Sequence, residues 1–318
     1  MLSRVANSIY WMTRYVERAE NYARLMHVNF NVMLDALPGL KQQWEPLVDT
    51  TGDREIFLNL YGHFSRDNVI KFMTFDVRNR NSILSCLETA RENARSIREN
   101  ISTELWEHIN EFYLFVKGIF QSNQWPFIDL ISFFNAVRKN SHMFFGIMEG
   151  TLSHSESWHF ARTGLFLERS DKTARILDMK YYILLPSVQE VGMSLDLLQW
   201  NAILKSASAH EMFYKKYRQL TPLNIADFLI LDREFPRAIY YCVRQAREHV
   251  GRISGSHTWD RYTNDAEKKI GTLCSELEYR SIQEIFSAGL HEYLDHIQRE
   301  LNLCDDAIYE TFFAAKEY

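Results

Sequence analysis

Residues 15–26 of this chain read YVERAENYARLM, and residues 166–177 read FLERSDKTARIL. A Glu-Arg pair, a second carboxylate and a second Arg recur in the same order at the same spacing. A further pair of segments, residues 72–93 and 228–249, repeats Phe, Asp, Ile, Cys, Ala, Arg and Glu in register. A repeat of this length is a duplicated domain, since solenoid units span roughly twenty to fifty residues. The sequence therefore predicts an internal duplication, with the function built from two related halves.

Composition favours an all-α fold of long helices. The 318 residues include 12 Gly and 6 Pro, too few for the turns that many short strands require. Hydrophobic residues make up 46% of the chain, which is enough for a large core. We predict a helix bundle of two tandem, internally duplicated halves packed as one unit. The first copy spans residues 1–126, a connecting helix spans 127–150, and the second copy spans 151–318.

The hydrophobic pattern predicts where the main helices lie. The first helix runs from Ser3 to Leu37, with one polar and one apolar side, and ends at Pro38-Gly39. In the second copy the pattern predicts single helices over residues 194–220 and 281–316. No stretch predicts a sheet.

Charge and cysteine usage narrow the classes of protein. A net charge of −5 and a pI near 6.1 argue against nucleic-acid binding, which normally shows as a basic domain. The four cysteines have no C-x-x-C spacing and are predicted to be buried free thiols in a reducing compartment. No segment has the apolar length of a signal peptide or a membrane span. We expect a cytoplasmic protein without membrane attachment.

Motifs for metals and cofactors are missing from the sequence. The eleven His residues are scattered and form no paired Glu-x-x-His set of the di-iron type. There is no Gly-x-x-x-x-Gly-Lys loop and no Gly-x-Gly-x-x-Gly turn, so the standard ATP and NAD sites are unsupported. We expect this chain to hold neither a metal nor a cofactor.

The second charges of each repeated phrase form pairs within a helix. Glu20 with Arg24, and Asp171 with Arg175, are spaced i, i+4. Such pairs meet on a helix surface and stabilise it by about 0.2–0.5 kcal/mol. Their simplest interpretation is structural.

The Glu-Arg pairs cannot be satisfied in this way. Glu17 and Arg18 are adjacent and so point about 100° apart on a helix, as do Glu168 and Arg169. Small and apolar residues precede Glu168 on its side of the helix, which predicts that it is buried. Because an unpaired buried carboxylate costs several kcal/mol, each of these charges needs a partner from elsewhere.

Two interpretations of the Glu-Arg pairs remain open. In the structural one, the repeated Arg91 and Arg247 pair with the glutamates and fix the packing register between helices. In the functional one, the copies face each other across a pseudo-twofold axis and form a cleft that binds a peptide or amino-acid carboxylate. The catalytic candidates are then Glu17, Arg18, Glu168 and Arg169, and the substrate-binding candidates are Arg14, Arg24, Arg175, Arg91 and Arg247.

The doubled motif also carries a family resemblance. Residues 6–11 read ANSIYW and directly precede the first phrase. Together with the two Glu-Arg phrases, they resemble the bacterial alpha-E proteins, a helical family named for its Glu-Arg motif, over essentially the whole chain. One departure is Ser170-Asp171-Lys172, where family members often carry Ala-Asp followed by an uncharged residue.

The resemblance implies a partner more than a reaction. Members of this family are typically encoded beside, or fused to, a circularly permuted ATP-grasp protein, often near a transglutaminase-like peptidase. This implies an accessory or binding subunit of an ATP-grasp-dependent system that forms peptide or amide bonds, with the partner binding the nucleotide. A rival hypothesis is an enzyme that acts on a peptide or acyl-phosphate substrate through the paired Glu-Arg motifs. A third is a purely structural homo-oligomer.

Overall fold

The computed structural model describes residues 1–35, 44–183, 192–256 and 261–314, and every regular element in these ranges is helical, as the composition predicts. None of the described helices combines the length and the apolar character needed to cross a membrane. The helices are α1 (Ser3–Asp35), α2 (Glu45–Thr51), α3 (Arg54–Tyr61), α4 (Arg66–Thr74), α5 (Ile83–Ser96), α6 (Thr103–Gln121), α7 (Leu130–Thr151), α8 (Glu156–Tyr182), α9 (Ser194–Ser206), α10 (His210–Lys216), α11 (Pro222–Leu231), α12 (Ile239–Ser254), α13 (Asp265–Tyr279), α14 (Ile282–Ala288) and α15 (Leu290–Ile308).

The two helices that carry the repeated phrase, α1 and α8, form the centre of the fold. Helix α8 has 27 residues and buries side chains on all its sides, as a helix enclosed by others does. It packs against α1, α12 and α15, while α1 packs against α8, α5 and α7. Both Glu-Arg motifs therefore lie in the middle of the packed helices.

The close approach of α1 and α8 depends on one glycine. A Cβ atom at Gly164 would lie 2.4 Å from the carbonyl oxygen of Tyr10 and 2.9 Å from Oγ1 of Thr13. At the same point, Thr13 Oγ1 donates a hydrogen bond of 2.9 Å to the carbonyl oxygen of Ala161. Thr13 and Gly164 each stand four residues before the Glu of their own motif. Equivalent positions of the two repeats thus meet at the crossing.

The second repeated segment packs in the same way in both places. Helix α5 packs against α1, and α12 packs against α8. Ahead of these helices, Asp76 and Asp232 each accept a hydrogen bond from the backbone N–H two residues later, at 3.0 Å and 2.8 Å. Cys86 and Cys242 each donate a thiol hydrogen bond of 3.4 Å to a carbonyl oxygen just before their helix. These matching contacts support the duplication hypothesis.

The prediction of a single helix over residues 194–220 is wrong, because the structure has two helices there, α9 and α10. The chain turns at Ser208, whose φ of +50° lies in the left-handed region that residues other than glycine rarely adopt. The cause is tertiary, since the buried Arg24 donates to the carbonyl oxygen of Ser206, which a continuous helix would use internally. The helix predicted over 281–316 is also divided, at Gly289 with φ of +97°. Residues 315–316 lie outside the described residues.

The expected connecting helix at residues 127–150 corresponds to α7, which begins at Leu130. Helix α7 packs against α1 and α6, both of which belong to the predicted first copy. The first helix is described to Asp35, and its predicted end at Leu37 lies outside the described residues. The predicted copy boundaries stay predictions. All four cysteines are buried and free, as predicted.

Candidate functional site

The two Glu-Arg motifs bind each other across the crossing of α1 and α8. Glu17 of α1 accepts two hydrogen bonds from Arg169 of α8, 3.0 Å from Nε and 3.1 Å from Nη2. In return, Arg18 of α1 donates to both carboxylate oxygens of Glu168, at 2.7 Å from Nε and 3.0 Å from Nη2. Adjacent residues that point apart on one helix thus find their partners on the other. Such two-pronged pairs are strong and geometrically specific.

Besides Arg169, a second arginine binds Glu17. Arg237, in the loop before α12, donates to Glu17 at 2.7 Å and to Glu20 at 3.2 Å. Glu20 also accepts from Arg24, one turn further along α1, at 2.9 Å. We name this group the Glu17 cluster; it consists of Glu17, Glu20, Arg24, Arg169 and Arg237.

Further charged residues surround the pair of Glu168 and Arg18. Arg14 donates to Glu168 at 2.9 Å and also reaches Asp305 of α15, while Lys172 Nζ lies 3.4 Å from Glu168. Lys172 and Arg175 both bind Asp171, at 2.8 Å and 3.0 Å. We name this group the Glu168 cluster; it consists of Arg14, Arg18, Glu168, Asp171, Lys172, Arg175 and Asp305.

Neighbouring cations set the ionisation of both glutamates. Burial alone would raise the pKa of Glu17, but Arg169 and Arg237 outweigh it and hold this pKa below its usual value. Burial likewise opposes the ionisation of Glu168, and its cations, with Arg18 the strongest, hold the pKa well below its usual range. Both carboxylates are therefore ionised at neutral pH. A carboxylate with such a low pKa is a weak general base, because proton transfer works best near the operating pH.

Solvent access bears on the two interpretations of the motif. The side chains of Glu17 and Glu168 are 1% and 0% exposed, and those of Arg169 and Arg18 are 15% and 14% exposed. A general base must come within hydrogen-bonding distance of the proton that it removes. The helices enclose both glutamates, so the geometry favours the structural interpretation: the pairs fix how α1 packs on α8.

A family model described as a predicted α-helical domain with a conserved ER motif matches residues 1–313. The chain belongs to the Alpha-E family. The dipeptide Glu-Arg of that description is present on both central helices of this Alpha-E chain, at residues 17–18 and 168–169. No curated protein and no solved structure matches the chain.

The prediction that Arg91 and Arg247 are the partners of the glutamates is wrong for this Alpha-E chain. Arg91 faces α6, where it donates to Asn110 at 2.7 Å, and it also binds the neighbouring Glu92 at 2.6 Å. Arg247 lies beside the thiol of Cys274 on α13, in the wall of a cavity of about 490 Å³. Both arginines lie one layer away from the Glu-Arg crossing, because α5 and α12 direct them to their outer neighbours.

The predicted i, i+4 pairs are confirmed; Asp171 with Arg175 is partly exposed, whereas Glu20 with Arg24 is buried in the packed helices. Glu20 and Arg24 are 0% and 1% exposed, so their contact is a core ion pair and not a surface one. Arg24 donates further hydrogen bonds to Asn21 and to Ser208, the latter at 3.1 Å. Arg24 therefore ties α1 to the turn between α9 and α10.

Three residues of the Glu17 and Glu168 clusters were not predicted from the sequence. Lys172 stands four residues after Glu168, so the i, i+4 rule could have found it. Arg237 falls at the repeat position of Asn81, which itself accepts a 2.8 Å hydrogen bond from Arg18. That correspondence was readable from the second repeated segment. Asp305 carries no sequence signal, since it belongs to no repeated phrase.

Proposed function

We propose that this Alpha-E chain is an accessory or binding subunit of a system that forms peptide or amide bonds with an ATP-grasp protein. The observation that carries the proposal is the enclosure of both Glu-Arg pairs, which leaves their carboxylates out of a substrate's reach. An enzyme that worked through Glu17 or Glu168 would need at least one of them open to solvent.

In this proposal the circularly permuted ATP-grasp partner binds the nucleotide and activates a carboxylate. The Alpha-E chain holds the partner or the peptide product, and a transglutaminase-like peptidase acts on the same product. The complex works in the cytoplasm, where ATP is available. The matched contacts of Asp76 with Asp232, and of Cys86 with Cys242, support a further part of the proposal, that two duplicated halves form the subunit.

The test is reconstitution with a circularly permuted ATP-grasp protein, the partner that the family resemblance implies. We expect the two proteins to co-purify, and ATP turnover with an acceptor peptide to increase when this chain is added. The chain alone should hydrolyse no ATP. Titration calorimetry of the chain with Mg-ATP should give no one-to-one isotherm of low-micromolar affinity, and such an isotherm would contradict an accessory role.

A second arm separates the accessory subunit from the enzyme. The chain alone is incubated with candidate peptides and with acetyl phosphate as an acyl-phosphate probe, and products are followed by mass spectrometry. The proposal predicts no conversion. Turnover by the chain alone that disappears in Arg18→Lys, a change that keeps the charge but loses the two-pronged contact, would support the enzyme instead.

A further inference from the structure

A cavity of about 440 Å³ opens between the ends of α1, α7, α9 and α10. Its wall is rich in cationic and hydrogen-bonding side chains, and one carboxylate, Glu211, contributes to it. The polar lining consists of Arg24, His27, Asn31, Arg138, Asn201, Lys205, Ser208, His210 and Glu211. The volume falls within the range of small-molecule sites, roughly 300–1,000 Å³.

The charged cluster beside this cavity has more cations than carboxylates. In the Glu17 cluster, two carboxylates face three arginines, and Arg138 of α7 adds a fourth guanidinium with its Nε 3.9 Å from Glu20. Two of these four cations, Arg24 and Arg138, line the cavity. Burial, and next the charge of Arg237, lower the pKa of Arg24 to about 9, against the opposing effect of Glu20 and Glu17.

The corresponding cluster on the other side of the crossing has a smaller excess. There, four cations face the three carboxylates of Glu168, Asp171 and Asp305. A fourth carboxylate, that of the buried Asp53, lies beyond Asn81, which donates to it at 3.2 Å. With Arg138 counted, the positive excess is thus larger on the side that borders the cavity.

Two polar groups at the cavity are arranged as a ligand would need them. The Arg138 side chain is 25% exposed, and its Nε atom, 3.9 Å from Glu20, has no hydrogen-bond partner among the described residues. Ser208 holds a left-handed backbone with φ of +50°, which places its hydroxyl group against Arg24. Strained backbone of this kind is often found where a site requires it. Lys205 is exposed at the same wall and carries a mobile ammonium group.

We propose that this cavity binds a compact oxyanion, a carboxylate or phosphate group of a small ligand, between Arg138 and Lys205, with the charge of the buried Arg24 behind them. An oxyanion there neutralises the excess charge and accepts hydrogen bonds from guanidinium and ammonium donors, the strongest kind available. The Ser208 hydroxyl group and the Asn201 amide lie in the same wall to fix its orientation. The inference concerns this chain alone and does not rest on the proposed ATP-grasp partner.

The test is titration calorimetry of the full chain, at low ionic strength and pH 7, with inorganic phosphate and with glutarate as probes. We expect at least one probe to bind one-to-one with a dissociation constant in the millimolar range, since a few non-hydrogen atoms supply only a few kcal/mol. Binding of phosphate alone identifies a phosphorylated ligand, and binding of glutarate alone identifies a carboxylate ligand. Binding of neither probe overturns the proposal.

Two variants place the oxyanion in the cavity. Arg138→Gln and Lys205→Gln should each weaken binding about tenfold, because each removes one charge-assisted hydrogen bond. Lys205 is exposed, so its variant keeps the test valid even where Arg138→Gln perturbs folding. The matched control is Lys139→Gln, which removes an exposed charge beside Arg138 that does not line the cavity. Equal binding by Lys205→Gln and Lys139→Gln would refute the site.

Discussion

Glu168→Gln is the substitution that examines the crossed Glu-Arg pairs most directly. The side chain is 0% exposed, and glutamine keeps its size and its ability to accept hydrogen bonds while removing the charge. Two of its three cationic partners keep another carboxylate, because Arg14 still reaches Asp305 and Lys172 still binds Asp171 at 2.8 Å. Arg18 keeps only the amide of Asn81, at 2.8 Å. The cost therefore falls mainly on Arg18.

The size of the effect follows from leaving one buried cation without its carboxylate. Breaking a buried ion pair by removing one partner costs about 3–5 kcal/mol. We expect the lower end, about 3 kcal/mol, because glutamine still accepts a hydrogen bond and because Arg18 is 14% exposed. For a chain of this length each kcal/mol shifts the melting temperature by about 2 °C, so Tm should fall by about 6 °C.

Thermal unfolding followed by circular dichroism at pH 7 measures this difference. The matched control is Glu107→Gln, which removes an exposed charge in the second turn of α6 and should change stability by no more than about 0.5 kcal/mol. The double variant Arg18→Gln with Glu168→Gln completes a mutant cycle. Because the second change removes the stranded cation, the double variant should lose less stability than the two single variants combined, by about 1–3 kcal/mol.

Two results would refute the reasoning. A Glu168→Gln variant that melts within 1 °C or so of the parent would mean that the crossed pair contributes little to the packing of α1 on α8. Strictly additive single and double variants would mean that Arg18 and Glu168 do not act on each other. Either outcome would favour a binding or catalytic role for Glu168 over a structural one.

The other predictions concern the helix crossing, acid stability and the thiols. Gly164→Ala should destabilise the chain by about 2 kcal/mol or more, because its Cβ would lie 2.4 Å from a backbone oxygen, whereas Gly118→Ala, with nothing within 4 Å, should melt at or above the parent temperature. Since the pKa values of Glu17 and Glu168 are lower in the folded chain than in the unfolded one, the unfolded chain takes up protons first on acidification. Stability should therefore be full above about pH 5 and fall as the pH drops below about 4.5. Glu168→Gln should make the fall of Tm with pH less steep. An unchanged dependence of Tm on pH in this variant would contradict the lowered pKa of Glu168. Burial raises the pKa of Cys86 and Cys242 to about 12, so iodoacetamide at pH 8 should label the native chain slowly and the urea-unfolded chain at all four cysteines; rapid labelling of the native chain would show that the thiols are open.

The repeated phrase predicted the two central helices, α1 and α8, and the charged residues that meet between them. Its spacing places one Glu-Arg pair on each helix. It could not identify the partners. A helical wheel gives the direction of Glu168 but not the element that lies in that direction. Arg91, Arg247, Arg18 and Arg169 were all repeated arginines, so the sequence offered two consistent pairings. Only the close crossing at Gly164 brings the second pairing into contact.

The break between α9 and α10 shows a different limit. Residues 205–209 read KSASA, and none of them stops a helix by its own conformational preference. The helix ends there because Arg24, from a helix far away in the sequence, binds the carbonyl oxygen of Ser206. Ser208, at this turn, lines the cavity. A ligand site built on such a tertiary contact leaves no local pattern to read.

Reciprocal pairing also explains how the two central helices are held together. Each helix supplies the Glu of one pair and the Arg of the other. If α1 and α8 separated, Glu17 would lose Arg169 and Arg18 would lose Glu168 together. Breaking one buried ion pair by removing a partner costs about 3–5 kcal/mol, so the two pairs together oppose any change in how α1 packs on α8. Because the carboxylates of both pairs are occupied in this way, a ligand has to bind through other groups, and the cavity lined by Arg138 and Lys205 offers them.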